Sequence, residues 1–431
     1  MNANRIPPAA SSPNIVFERI VTVVIAIVIT IVVGTGLLMP LGANAQDLAV
    51  RAGTLHTGAG EAIIDGVVVI EDGLVREVGP ASRVDIPEGV EVIEVPVATP
   101  GLIDARSTVG LSGAMNQPHD QDQLERSAAI QPELRAIDAY NPRELLVGWL
   151  REHGVTTVHT GHGPGEIISG QTLIAKTVGD TVDEAVLRPA HALSATLGEG
   201  ATEHGRKSPG NRSKAVAMLR DQFIKAREFL DKKSRSDGEA SPPRDLALES
   251  LGSVLAREMP LVVEVHRHND IMTALRLADE FEFDLVLAGA SDAHLLIDEI
   301  KAAGVPVILH PTMARAWGGS AMANFSFTTA AKLIEAGIPV ALQSGHEGYV
   351  PKNRVVLFEA AVLLGYGVEP AQALEMITLA PARILGIDDR VGSLEPGKHG
   401  DLALFDGDPF EYTSHVVGTV IQGRRVSDTI R

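Results

Sequence analysis

The sequence predicts an α/β fold: an eight-stranded (β/α)8 TIM-like barrel carrying a β-sandwich module assembled from both chain ends. Three observations lead there. Three amphipathic segments end in glycine and run straight into an apolar β segment: Glu144 to Gly154 before Val155 to Thr160, Asp292 to Gly304 before Val305 to His310, and Thr328 to Gly337 before Ile338 to Ser344. Glycine just past a helix adopts the left-handed conformation that turns the chain into the next strand. The segments at Leu261, Asp284, Pro306 and Pro339 are short and apolar throughout, as parallel strands covered on both faces must be. Both ends of the chain, by contrast, read as β with turns and without helices.

The elements follow in order. Ile20 to Met39 is an uncharged run preceded by Arg5 and Arg19 and followed by Ala43-Asn44-Ala45. The small residues before Gln46 suit signal peptidase, and the run has the length that spans a bilayer. Residues 1–45 are therefore expected to be a signal peptide cleaved after Ala45, with a retained N-terminal membrane anchor as the alternative. Either way the body is exported across the inner membrane, periplasmic or secreted. Residues 46–100 supply four short strands, Leu48 to Thr54, Ala62 to Ile70, Leu74 to Val78 and Val90 to Val95, parted by turns such as Glu71-Asp72-Gly73. Four strands are marginal alone, so residues 387–431, with β texture at Asp401 to Phe405 and Val416 to Gln422, are expected to complete the sheet. The barrel occupies 101–386. Its remaining strands are Leu102 to Ala105, Thr172 to Val178, Ala192 to Leu197, Leu261 to His266 and Asp284 to Ala288. Asp231 to Arg244, rich in Lys, Ser and Pro, reads as a solvated connector between two helices.

A net charge of -18 disfavours nucleic acid and anionic membrane surfaces as partners. The membrane enters only through the N-terminal segment, and the expected partner is a small molecule. With no cysteine among 431 residues, thiol nucleophiles and thiolate metal sites are excluded, which leaves His, Asp and Glu as ligands. No Gly-x-Gly-x-x-Gly opens a helix, and no P-loop, His-Glu-x-x-His or nucleophile-elbow motif occurs.

Val67 to Gly79, Pro100 to Ala105, Thr378 to Leu385 and Val391 to Phe405 together resemble the amidohydrolase superfamily, close to its imidazolonepropionase-like branch, over essentially the whole chain after Gln46. The resemblance implies a hydrolase of non-peptide carbon–nitrogen bonds, with a metal at the C-terminal mouth of the barrel. In that family the metal is held by His-x-His on strand 1, often a Lys or Glu on strand 4, His on strands 5 and 6, and Asp on strand 8. Here the matching positions read Arg106 and Thr108, His266, Gly289 and Gly345, and the strand 4 segment His191 to Glu199 has no Lys. A guanidinium ~4 Å from a divalent ion would cost roughly 8 kcal/mol at an effective dielectric of about 20. The binuclear centre is therefore not expected, and the metal site reads as degenerate.

What remains at the strand ends is a set of imidazoles. His159, His162, His266, His310 and His346 are candidate ligands for one divalent transition metal, each with loop hydrogen bonding as the plain alternative. Glu347 is a candidate for proton transfer, and Arg106 and Arg267 for gripping a substrate carboxylate. An ion pair with Asp270 is the alternative for Arg267. The acidic run His119 to Glu125 is expected as a loop near the mouth, and Trp317-Gly318-Gly319 as a loop over it. Two functions stay open: a hydrolase with a rebuilt or reduced site, and a catalytically silent protein binding a small molecule in the barrel mouth.

Overall fold

The sheet built from both chain ends starts with β1 (Leu48–Leu55), β2 (Ile63–Glu71), β3 (Leu74–Pro80) and β4 (Glu91–Pro100). The structure is a computed structural model, and it describes residues 47–115, 117–202, 208–235, 242–312, 323–345 and 356–431. Expectations for the export segment, Trp317-Gly318-Gly319, His346 and Glu347 lie outside the described residues.

The barrel strands are β5 (Leu102–Ser107), β6 (Val155–Gly161), β7 (Ile168–Lys176), β9 (Leu193–Thr196), β10 (Leu261–Val265), β11 (Leu285–Gly289), β12 (Val307–Leu309) and β13 (Val340–Leu342). A short β8 (Val186–Arg188) pairs only with β7. The strands follow one another around the barrel, and a parallel bridge between Ser107 and Gly345 joins the last strand to the first. All eight expected strands are present.

One strand departs from the expected pattern: β7 is antiparallel to both neighbours. The cause is covalent. Only residues 162–167 link β6 to β7, whereas a parallel crossover needs a dozen residues or more. The chain can only form a hairpin there, and the hairpin carries His162 at the mouth.

After the barrel, β14 (Leu402–Phe405), β15 (Val416–Ile421) and β16 (Arg424–Ser427) return to the first sheet. The order β16-β15-β14-β4-β1-β2-β3 makes seven strands in one hydrogen-bonded path. Leu404 of β14 faces Ala98 of β4, so the junction between the two chain ends lies at the centre of this sheet. Its apolar core draws on both ends, with Val50, Ile70 and Ala98 packed against Leu394, Leu402 and Val420. Barrel and sheet form one compact unit.

The helices end as the sequence suggested. Gly304 takes φ +65° directly after the helix Ile297–Ala303, and its N–H bonds back to the Ile300 and Lys301 carbonyls. The long helix Arg212–Ser234 runs four residues into the segment expected as connector; residues 236–241 lie outside the described residues.

Opposite the mouth, the buried Lys176 ammonium pairs with the buried Asp401 carboxylate, while the other Asp401 oxygen accepts from Gln422 N–H at 2.9 Å. This pair ties the inner end of β7 to the C-terminal strands. Removing one partner leaves an uncompensated buried charge. Asp401→Ala is therefore expected to lower the unfolding free energy by about 3–5 kcal/mol, measured as a shift in urea midpoint at unchanged m-value.

Candidate active site at the barrel mouth

Arg106 occupies the end of β5 and is 4 % exposed. Its guanidinium reaches inward, donating to Ser107 O at 2.9 Å, to Ser194 Oγ on β9 at 2.9 Å, and to His162 O in the hairpin. Burial pulls its pKa down to about 10, against the opposing charges of Glu264 and Asp104. Asp104, two residues earlier, accepts from Ser344 N–H at 3.1 Å and from the Ser344 hydroxyl, which links the first strand to the end of the last. Burial pushes the Asp104 carboxyl up to about 6 despite those bonds.

On the facing wall, β10 presents Glu264 and His266, two residues apart on one face. His266 Nε2 lies 3.1 Å from Glu264 Oε1, and His266 Nδ1 lies 2.8 Å from Ser291 Oγ. Gly289 makes this arrangement possible. It has φ +76°, and a Cβ there would sit 2.6 Å from Glu264 Oε1 and 2.7 Å from the His266 ring. The place from which the family's strand 6 histidine would project is filled by the β10 pair.

The other predicted histidines behave differently from one another. His159 is fully buried, donates from Nδ1 to Ala105 O at 2.7 Å, and accepts at Nε2 from the Thr172 hydroxyl at 2.7 Å. Both nitrogens serve the barrel wall, so as placed it offers no lone pair to a metal. That departs from the expectation, and the reason is that β7 lies hydrogen-bonded against β6 and brings Thr172 onto the ring. His162 sits buried in the hairpin, its pKa lowered to about 4, first by burial and then by the Arg106 charge. His310, at the end of β12, is buried and bonds through Nδ1 to Gln343 O at 3.2 Å. His266 is the most accessible of these four, with 21 % of its side chain exposed.

Arg267 lies just past the end of β10. It precedes the helix His268–Phe281 as its N-cap residue, and Asp270, its expected partner, pairs with Arg212 at 2.9 Å instead. The acidic run does reach the mouth: Gly163 N–H of the hairpin donates to Gln123 O at 2.7 Å. Gln343, wholly buried beside Ser344, has neither amide atom hydrogen-bonded.

These residues do not fit a binuclear metal centre. A buried cation stands at the first ligand position, Gly289 has no room for a side chain, and Gly345 holds φ +87° at the closing bridge. Among the described residues no group of three or more His, Asp or Glu is placed to hold a metal ion. The large cavity lined by Pro306, Ile338, Gln372 and Arg383, about 530 Å³, lies at the opposite ends of β12 and β13, away from this chemistry.

Residues missed in the sequence are Asp104, Ser194, Glu264, Ser291 and Gln343. A signal for two of them was available: a carboxylate inside an otherwise apolar strand, as in Leu-Ile-Asp-Ala and Val-Val-Glu-Val, needs a partner in the barrel. Ser194, Ser291 and Gln343 carry no such signal, because their importance comes from neighbours distant in sequence.

Residues 247–426 match the family model described as the amidohydrolase family. Amidohydrolase tasK of Hapsidospora irregularis is 28 % identical over 410 residues, covering 85 % of this chain but only 40 % of that longer protein. An imidazolonepropionase of Geobacillus kaustophilus is 27 % identical over 413 residues, covering 84 % of this chain and 90 % of its own length. The crystal structure of an amidohydrolase from Thermotoga maritima superposes with a TM-score of 0.84 at 27 % identity, covering 89 % of this chain and all of that one. The fold and these likenesses define the class as amidohydrolase-like. The likeness to imidazolonepropionases runs over most of both chains, and that to the solved amidohydrolase over the barrel and sheet together.

Two outcomes follow from the packing. Gly289→Ala is expected to destabilise by about 2–4 kcal/mol, because the new Cβ meets Glu264 and the left-handed backbone adds strain; urea denaturation of the purified variant measures it. Acid should also weaken the fold. His162 and His191 titrate at about 4 and about 3 when folded, against 6.5 unfolded, so below pH 6.5 the unfolded chain takes up protons first and stability falls. Asp104, raised to about 6 from 3.8, works the other way and recovers part of the loss as pH falls through 6. His159 and His399 are depressed in the same direction, so four imidazoles against one carboxyl leave a net fall in stability between roughly pH 6 and pH 4. His191→Gln should flatten that slope in a pH series of urea midpoints.

Proposed function

We propose that the chain hydrolyses a non-peptide carbon–nitrogen bond in a small molecule, using a reduced site in the barrel mouth in place of the family's binuclear centre. The observation that carries this reading is the Glu264–His266 pair, 3.1 Å apart where β10 ends. A carboxylate behind an imidazole is the arrangement that moves protons at neutral pH. Arg106 supports it by supplying a permanent positive charge at the position that opens the family's metal site. The imidazolonepropionase of Geobacillus kaustophilus and the amidohydrolase of Thermotoga maritima, alike over most of their length, support a carbon–nitrogen substrate.

A silent small-molecule binder is the second reading. Arg106, Gly289 and Gly345 at ligand positions favour it, as does the unbonded Gln343 amide in the barrel interior. Export rests on the run Ile20 to Met39 with Arg5 and Arg19 before it, and maturation at Gln46 on Ala43 and Ala45. We place the body beyond the inner membrane on that ground. Among the described residues no helix is long and apolar enough to cross a membrane.

The test is hydrolysis of a panel of N-acyl amino acids, lactams and ring amides by protein purified without added metal, with and without chelator, beside elemental analysis. Turnover that survives chelation at metal content near zero is expected. Turnover lost on chelation and restored by one divalent ion would replace the reading with a mononuclear centre. Saturable ligand binding with no turnover would favour the silent binder.

A further inference from the structure

We propose that Ser291, His266 and Glu264 form a nucleophilic triad for acyl transfer, which deepens the hydrolase reading above and rests on it. Ser291 Oγ lies 2.8 Å from His266 Nδ1, and His266 Nε2 lies 3.1 Å from Glu264 Oε1. Such a triad is defined by geometry and roles, not by chain order or fold. Glu264 Oε1 lies near Nε2 without a hydrogen bond to it, so its part is electrostatic, while Nδ1 meets the serine hydroxyl.

The backbone around Ser291 is shaped for the task. Gly289 at φ +76° and Ala290 at φ +51° are consecutive left-handed residues, and a non-glycine residue there is uncommon. They turn the chain sharply at the end of β11, so that Ser291 faces back toward β10. Ala290 N–H bonds to Val265 O at 2.6 Å and Asp292 N–H to His266 O at 2.9 Å, which fixes the turn to the strand that carries the other two members. Gly289 is thus both the first residue of the turn and the gap that Glu264 and His266 fill. One residue accounts for the missing family histidine and for the triad. Ser291 is 2 % and Glu264 7 % exposed while His266 opens to solvent, so substrate enters on the imidazole side.

The step balances without metal or oxidant. The Ser291 hydroxyl gives its proton to His266 Nδ1 as its oxygen forms a bond to the substrate carbonyl carbon. Glu264 stabilises the imidazolium. The carbon–nitrogen bond then breaks, with the imidazolium proton passing to the leaving nitrogen. Water, deprotonated by the same imidazole, cleaves the acyl ester to release the acid and restore the serine. The substrates this fits are small amides and N-acyl compounds.

The experiment treats the full mature chain with a fluorophosphonate probe and maps the adduct by intact mass and peptide sequencing. Stoichiometric labelling at Ser291 is expected, absent in Ser291→Ala and slowed about 100-fold in His266→Gln, within the usual range for loss of a general base. Circular dichroism melts confirm that the variants are folded. Because the chain has no cysteine, Ser291→Cys supplies a unique thiol of similar volume. Its alkylation by iodoacetamide should be faster than that of free cysteine, and should slow when His266→Gln is added. An unlabelled folded wild type, or an adduct that persists in Ser291→Ala, would overturn the triad. Amide hydrolysis retained by folded Ser291→Ala would sink the triad and leave the hydrolase reading standing. A labelled Ser291 with no turnover on the panel would do the reverse.

Discussion

A guanidinium buried in the barrel mouth is the constraint around which this site is arranged. Arg106 is always charged, so it must be met by acceptors wherever it is placed, and the cost of desolvating an ion is several kcal/mol unless it is met. Three acceptors from three parts of the chain converge on it: Ser107 O, His162 O and Ser194 Oγ. Glu264 and Asp104 supply the opposing charge. Burial holds His159, His162 and His191 toward the neutral form, and the Arg106 charge adds a smaller push in the same direction to each. The same field repels a divalent ion.

The wall that meets this charge exists because of a short connection. A hairpin between β6 and β7 puts the His162 carbonyl beside Arg106 and the Thr172 hydroxyl against His159. A helical crossover would have placed neither there. At the opposite end of β7, Lys176 and Asp401 bind the same strand to the composite sheet. One antiparallel strand therefore shapes the mouth at one end and anchors the sheet at the other.

Fold and chemistry have separated in this chain. The parallel strands, the closing bridge and the sheet shared by both ends are those of the amidohydrolase superfamily, and they superpose well on a solved member. The ligand positions do not follow. A fold positions strand ends, and what stands on those ends decides the reaction. Here the fifth and sixth strands, paired through Val265 and Gly289, bring together a hydroxyl hydrogen-bonded to an imidazole and a carboxylate 3.1 Å from the same ring.

The sequence by itself determined the barrel and the shared sheet, and it set the residue types at the strand ends. Apolar strands after glycine-capped helices have one stable arrangement, and side-chain chemistry at a matched position can be read directly: Gly289 cannot coordinate, and Arg106 repels. Four of the expected site residues, Arg106, His162, His266 and His310, do lie where the barrel strands end, because strand register fixes that much. Direction and partnership were not legible. That β7 runs backward follows from a six-residue link (residues 162–167); the expected start of this strand at Thr172 left eleven residues (161–171) between the strands and hid the hairpin. That His159 is spent on Ala105 and Thr172 while His266 meets Glu264 and Ser291 depends on contacts spanning 54 residues in one case and 25 in another. A hydrogen bond's worth lies in a geometry of a few tenths of an ångström, and only the closed barrel supplies it.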